Sequence, residues 1–162
     1  MDDLIRRMDD FIINRNRNIN RGFRKLEVWR EAINFFVFVK KKLDATNGIS
    51  FKVKAQIEDS SFSVHSNIAE GYGRRYLKES IQYNSIALAS LAENYSQIYA
   101  LLKAGIVESA WFDEFDSKHY SLENKLINYN KSQVKQLKEK FGWENDYIIK
   151  DILETYGDDD TE

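Results

Sequence analysis

Cysteine and proline are both absent from this chain, and histidine occurs only twice. Without cysteine there is no disulfide bond and no thiolate chemistry, which suits a reducing compartment. Without proline no position removes a backbone N–H from a helix, so long uninterrupted helices are permitted throughout. No segment approaches the ~20 consecutive apolar residues of a membrane-spanning helix, and we expect no membrane association.

Hydrophobic residues make up 43% of the 162 residues, which is enough for one domain with a sizeable core. Residues 1–10 carry four aspartates and no apolar run, so we expect no signal peptide and a cytoplasmic location. The net charge of −2 hides an asymmetry, because residues 1–78 hold 16 Lys and Arg against 10 Asp and Glu. A basic first half can indicate an anionic partner, although solvated faces account for most such patterns.

Four long segments have apolar residues at three- and four-residue spacing, which is the pattern of amphipathic helices. The predicted helices cover about residues 23–46, 50–71, 76–104 and 109–141. No alternation with a period of two competes with them. Short loops between four long helices predict an all-α fold, an up-down-up-down antiparallel four-helix bundle.

The flanking segments have weaker patterns that are compatible with short extra helices at both ends. The predicted organisation is therefore a basic arm with a short helix over residues 1–22 and a bundle domain over 23–142. A short helix and an acidic tail follow over residues 143–162.

The first helix carries more apolar side chains than one packed face requires. Its most regular stripe predicts the inner face, which would consist of Leu26, Trp29, Ile33, Phe36, Lys40 and Leu43. Phe35, Phe38 and Val39 lie on other faces. A helix that is apolar nearly all round is buried on a second side, so we expect these three residues to contact a second copy of the chain.

The segment Ser-Asn-Ile-Ala-Glu-Gly-Tyr-Gly-Arg-Arg at residues 66–75 predicts the turn between the second and third helices. Gly71 can take the left-handed conformation that closes a helix without a Cβ penalty, so we expect the helix to stop there. Asn67, Glu70 and Gly73 complete the predicted structural turn. Glu70 and Glu93 are expected to form structural ion pairs, with Arg74 or Arg75 as the available partners, rather than to act as catalytic acids.

With these residues in place, the chain resembles the 23S rRNA intervening-sequence protein family, also called the four helix bundle protein family. The resemblance rests on residues 23–29, 66–75 and 90–93 and on Glu79, and it covers about residues 23–130. It implies a small bacterial, cytoplasmic bundle that assembles as a homopentamer and has no established enzymatic activity. It also implies a suspected association with nucleic acid, and it leaves the molecular role open.

The chain departs from the family pattern in three places. Glu58 and Asp59 stand where arginines are common, which weakens the case for nucleic-acid binding by the second helix. His65 replaces a proline, so we expect a straighter second helix. Tyr76 replaces a serine that would form a capping box with Glu79.

No constellation in the sequence supports a catalytic, cofactor or metal site, and we expect none. A di-metal bundle site needs two Glu-x-x-His motifs, and Asp116 with His119 is only an incomplete half of one. We expect His119 to be a partly buried residue with a local hydrogen bond. A metal-dependent enzyme therefore stays the weakest alternative.

The sequence favours a non-enzymatic, structural homo-oligomer. Nucleic-acid binding is the first alternative to this interpretation, and binding of an unidentified protein partner is a further one. The candidate residues are the cations of the arm and of the predicted turn, namely Arg15, Arg17, Arg21, Arg24, Lys25, Arg30, Arg74 and Arg75. No RNA-reading signature with stacking aromatics accompanies them, and the pI of 5.8 is far from basic.

Overall fold

The computed structural model describes Met8 and residues 10–139, and within this part of the chain there are helices and turns but no strands. The four long helices are α1 (Glu27–Ala45), α2 (Phe51–Gly73), α3 (Leu77–Lys103) and α4 (Ser109–Glu139). A 3₁₀ helix, Ile19–Lys25, precedes them. The prediction of an all-α fold is confirmed.

Most of the predicted ends of the helices agree with these bounds to within two residues, but α1 begins at Glu27 rather than at residue 23, because residues 23–25 belong to the 3₁₀ helix. Ser50 caps α2, because its hydroxyl accepts a hydrogen bond from the Val53 amide at 3.4 Å. Gly105 has a φ of +71° just after α3, as expected of a glycine that ends a helix. Residues 10–14 are helical at the end of the predicted N-terminal helix, whereas the predicted C-terminal helix and acidic tail lie outside the described residues.

Each long helix packs against two others, with α1 next to α2 and α4, and α3 next to α2 and α4. The side chains in the core come mainly from one stripe of each helix, and on α1 these are Val28, Ala32, Phe35, Val39 and Leu43. Ion pairs flank this core. Lys40 on α1 lies 3.3 Å from Glu58 on α2, so the acidic departure at residue 58 has a cation to pair with.

The predicted inner face of α1 is wrong for most of its residues, because only Leu43 of the predicted stripe is among the buried residues of this helix. Phe35 is 3% exposed and Val39 is fully buried within a single chain, so neither can be covered by a second copy. Phe38 is partly buried against the same core, with the ammonium groups of Lys42 and Lys118 over its ring. The predicted stripe would have placed Lys40 in the interior, where an ammonium group is costly to bury.

Gly71 does not stop α2, because the helix continues to Gly73. Its backbone is not left-handed, and the residue with a positive φ in this turn is Arg75, at +68°. Gly71 is needed for another reason. A Cβ at this position would lie 2.9 Å from the Cβ of Tyr83 and 3.2 Å from the carbonyl oxygen of Ser80. The absence of a Cβ at residue 71 lets α2 and α3 approach closely.

The other residues assigned to the predicted turn lie within α2. The Asn67 amide donates to the Ser63 carbonyl oxygen at 2.8 Å, one helical turn earlier. A Cβ on Gly73 would meet no atom within 4 Å among the described residues. These positions therefore shape the end of the helix rather than the turn, which falls at residues 74–76.

His65 is buried on the side of α2 that faces α1. Its ring lies 4.5 Å from that of Phe62 and 5.8 Å from that of Phe36, measured between centroids. Within the described part of the chain its Nε2 has no hydrogen-bond partner, and burial lowers the pKa of His65 below its usual 6.5. The imidazole is consequently neutral in the folded protein at neutral pH. The helix continues past this position, as expected without a proline.

Gly71 and Gly73 lie in the same helix, so a substitution at each gives a matched pair that tests the close approach of α2 and α3. Replacing Gly71 with Ala should lower the free energy of unfolding by about 1–3 kcal/mol, because the new methyl group overpacks against Ser80 and Tyr83. Replacing Gly73 with Ala should leave it unchanged or raise it by up to about 1 kcal/mol, because space is open there. Urea denaturation measures both, and equal effects would contradict the close contact.

The buried imidazole should make stability depend on pH. Between about pH 6.5 and the lower pKa of His65 in the folded protein, the unfolded chain binds a proton at this residue more readily than the folded chain does, so the free energy of unfolding falls as pH falls. The slope from this one group cannot exceed about 1.4 kcal/mol per pH unit. Denaturation between pH 7.5 and 5.5 should show a smaller decline in a His65→Gln variant. Equal declines in the two proteins would show that His65 is not responsible.

Candidate nucleic-acid interface

Three segments that are distant in the sequence meet at one end of the four helices. Phe23 contacts Tyr72 with 6.4 Å between ring centroids, and Gln133 donates a hydrogen bond to Ser80. We call residues 14–30, 70–82 and 129–139 together the basic end. They contain twelve Lys and Arg residues and four Asp and Glu residues, so positive charge dominates this end of the protein.

The arm is folded against this end over residues 19–25. Asn18 caps its 3₁₀ helix by accepting a hydrogen bond from the Arg21 amide at 3.1 Å. Gly22 packs directly against the ring of Tyr72 on α2, where a side chain would collide with the hydroxyl group. Phe23 packs edge-on against Trp29 at 5.0 Å. Residues 19–25 are therefore packed against α2 and the start of α1.

Arg24 is the residue that holds the arm together. Its guanidinium donates to the carbonyl oxygens of Ile12 at 2.8 Å, Arg15 at 2.9 Å and Asn16 at 3.2 Å. These carbonyls lie at and just after the helical residues 10–14, so the cation also sits where the helix dipole favours it. With its donors directed at the backbone, Arg24 is a structural residue of the arm.

Arg74 is paired on the surface of α2. It donates to a Glu70 carboxylate oxygen at 2.6 Å and to the Tyr83 hydroxyl at 2.7 Å, and its guanidinium lies over the Tyr83 ring. The hydrogen bond from Arg74 lowers the pKa of Glu70. The expected structural ion pair of Glu70 is thereby observed. Glu93, in contrast, is exposed on α3 and accepts a hydrogen bond from Gln97.

Arg75 joins the turn to the arm. Its Nη2 donates to the Asn20 side-chain oxygen at 2.5 Å, and its guanidinium lies 5.9 Å from the centre of the Tyr72 ring. The two groups of cations that the sequence marked as candidates, in the arm and in the turn, are thus brought together by direct contacts.

The other cations of the arm are exposed. Arg15 lies over the ring of Phe11, Arg17 donates to the Asn14 side chain, and Arg21 donates to the Asn16 carbonyl oxygen. Lys25 is exposed at the end of the 3₁₀ helix, and Arg30 is exposed in the first turn of α1. The side chains of these five residues remain on the surface, in reach of an anionic partner.

Four further lysines of the basic end were not among the candidates from sequence: Lys78, Lys131, Lys135 and Lys138. All are exposed, and the last three recur at four- and three-residue spacing along one face of α4. That spacing was visible in the sequence. Their position at the same end as the arm was not, because it follows from the packing of α4 against α1 and α3.

Residues with metal-binding chemistry do not converge in the described ranges, where no group of three His, Cys, Asp or Glu is placed to hold an ion. His119 is buried more deeply than expected, and its Nε2 hydrogen-bonds the Leu91 carbonyl oxygen on α3 at 2.8 Å, so the bond joins two helices and is not local. Asp116, one turn away, is exposed. No helix among residues 8 and 10–139 is long and apolar enough to cross a bilayer.

Comparison with known proteins adds one finding. No curated protein matches the chain. The family model described as 23S rRNA-intervening sequence protein matches residues 24–128, which include α1, α2, α3 and most of α4. Because the match covers well over half of the sequence, the chain belongs to the 23S rRNA-intervening sequence protein family.

Proposed function

We propose that this chain is a non-enzymatic, up-down-up-down antiparallel four-helix bundle that binds RNA through its basic end. The observation that carries the proposal is the convergence of three segments with twelve cationic and four anionic side chains. A surface that neutralises several phosphates releases their counterions, and this release dominates the affinity of sequence-independent binding. The acidic pI of the whole chain does not oppose it, because residues 10–139 carry 20 Lys and Arg against 15 Asp and Glu.

The exposed cations are the proposed phosphate contacts. Arg15, Arg17, Arg21, Lys25 and Arg30 lie on the arm side. Arg75 holds the turn to the arm, while Arg24 and Arg74 are committed to carbonyl groups and to Glu70. We therefore propose that Arg24, Arg74 and Arg75 maintain the shape of the surface, and that the five exposed cations provide the affinity for RNA.

Charge reversal at the two ends of the helices tests the proposal. A Lys25→Glu, Lys131→Glu variant should bind a 20-nucleotide single-stranded RNA at least tenfold more weakly at 50 mM KCl, as measured by fluorescence anisotropy. The Lys52→Glu, Lys103→Glu variant changes the net charge equally at the opposite end, and its affinity should change less than about twofold. Affinity of the unaltered protein should fall steeply between 50 and 200 mM KCl.

Two results would contradict RNA binding by the basic end. One is no binding of RNA by the unaltered protein at 50 mM KCl. The other is an equal loss of affinity in the two double variants, which would mean that net charge rather than this surface sets the affinity. Circular dichroism of each variant shows whether the helices are intact.

A second candidate function is self-assembly, and a different surface favours it. Phe36 and Phe62, with ring centroids 5.3 Å apart, form an aromatic ridge between α1 and α2. Phe62 is 51% exposed and the neighbouring Val37 is 40% exposed, so one side of the ridge faces outward. We propose that a second copy covers this ridge in place of Phe35 and Val39. The proposed number of copies is five, as the family resemblance implies.

Assembly and RNA binding support each other in this proposal. Every added copy brings another basic end, and several weak contacts with one RNA strand gain avidity when they are linked.

Light scattering at micromolar concentration tests the assembly. The unaltered protein should have a multiple of the 19.1 kDa chain mass, and Phe62→Lys should shift it to the monomer. Tyr120→Lys is the matched control, because Tyr120 is another exposed aromatic residue, on α4. An unaltered protein that is monomeric, or a Phe62→Lys variant that assembles normally, would contradict this role of the ridge.

A further inference from the structure

A small pocket opens at the basic end, between the α2–α3 turn and the last turns of α4. Tyr72, Arg75 and Tyr76 line one side of it, and Ser132, Gln133 and Gln136 line the other. Its volume is about 150 Å³. A cavity of this size in another protein holds one benzene molecule, so the space suits one six-membered ring.

The inner wall of the pocket is polar and fixed. Gln133 is only 7% exposed, and both ends of its amide are engaged. The oxygen accepts from Asn84 at 2.9 Å, and the nitrogen donates to Ser80 at 2.8 Å and to the Tyr129 hydroxyl at 3.2 Å. An amide that is satisfied in this way has a single orientation and presents a constant pattern of donors and acceptors.

Tyr129 adds a neutral hydroxyl group to this wall. Burial raises the pKa of Tyr129 to about 12, so the hydroxyl keeps its proton at any physiological pH. The polar groups of the pocket are therefore neutral amides and hydroxyls, apart from one cation, Arg75, in its lining. This composition is poorer in charge than a dedicated phosphate site would be.

The outer wall presents flat groups. The Arg75 guanidinium lies over the Tyr72 ring, and the ring of Tyr76 is 46% exposed. Unpaired bases of RNA stack on aromatic rings and on guanidinium planes, and they are read by hydrogen bonds to their edges. The exposed Gln136 amide can supply both a donor and an acceptor for such an edge, and the Gln133 oxygen has a second lone pair that can accept.

We infer that this pocket takes one unpaired pyrimidine base of an RNA strand whose phosphates lie on the basic end. The size of the cavity selects a single ring, the flat groups stack on it, and the amides contact its edge. The inference rests on the proposed RNA binding and adds a base preference that phosphate contacts alone cannot give.

Strands with equal charge and different bases test the inference. The probes are single-stranded decamers of uridine, of adenosine, and of abasic ribose phosphate, with affinities measured by anisotropy at 50 mM KCl. The uridine decamer should bind at least fivefold more tightly than the abasic decamer because its bases stack on the aromatic rings. It should also bind more tightly than the adenosine decamer, because the cavity has room for one ring and not for a two-ring purine.

Tyr76→Ala should remove this preference while leaving the affinity for the abasic decamer unchanged. Tyr76 is suited to substitution because its side chain makes no capping hydrogen bond to α3 within the described chain. Tyr120→Ala, on the outside of α4, is the control and should keep the preference. Titration with uridine 5′-monophosphate should also shift the side-chain NH₂ resonances of Gln133 in the unaltered protein.

The outcomes separate this inference from the proposed function. If no decamer binds, RNA binding itself is wrong. If the abasic and uridine decamers bind equally, or if the adenosine decamer binds best, the basic end binds RNA but the pyrimidine pocket is wrong. The same conclusion follows if Tyr76→Ala weakens all three decamers to the same degree.

Discussion

The close antiparallel contact between α2 and α3 is the constraint on which the rest of the structure depends. Buried Asn94 on α3 donates to the Ile57 carbonyl oxygen at 3.0 Å and to the Ser60 hydroxyl at 2.8 Å on α2. Sliding either helix by one turn would bury this amide nitrogen without a partner, at a cost of about 1–3 kcal/mol. Gly71 then lets the last turn of α2 close on Ser80. The register set here positions the turn against which the arm folds.

Much of the fold could be predicted from the sequence, because helix periodicity and turn residues are local signals. The inner face of α1 could not. Two apolar stripes compete on this helix, and the more regular one contains Trp29 and Phe36. The stripe that is buried has smaller members, Ala32 and Val39, which allow closer approach of the neighbouring helices. Lys40 favours burial of this second stripe, because the helix then presents the Lys40 ammonium group at the border with α2, next to Glu58.

The candidate site was predictable only as a list of cations. Arg21 and Arg24 are three residues apart and chemically identical, yet Arg24 donates to three carbonyls of the preceding segment and Arg21 to one. That difference depends on where the arm folds back. Lys131 and Lys135 were missed because helix packing rather than sequence proximity brings them to the same end. The role of Gly71 likewise depends on Tyr83 and Ser80, which no local pattern places beside it.

The left-handed backbone of Arg75, with a φ of +68°, affects which residues are favourable at this position of the α2–α3 turn. A residue with a Cβ costs roughly 1–2 kcal/mol in this conformation, and glycine would avoid most of that cost. The turn is therefore less stable than it could be. Glycine, however, would give up the hydrogen bond to Asn20 and the cation above Tyr72. At residue 75, glycine would favour the stability of the backbone and arginine favours positive charge at the surface. The sequence has arginine there.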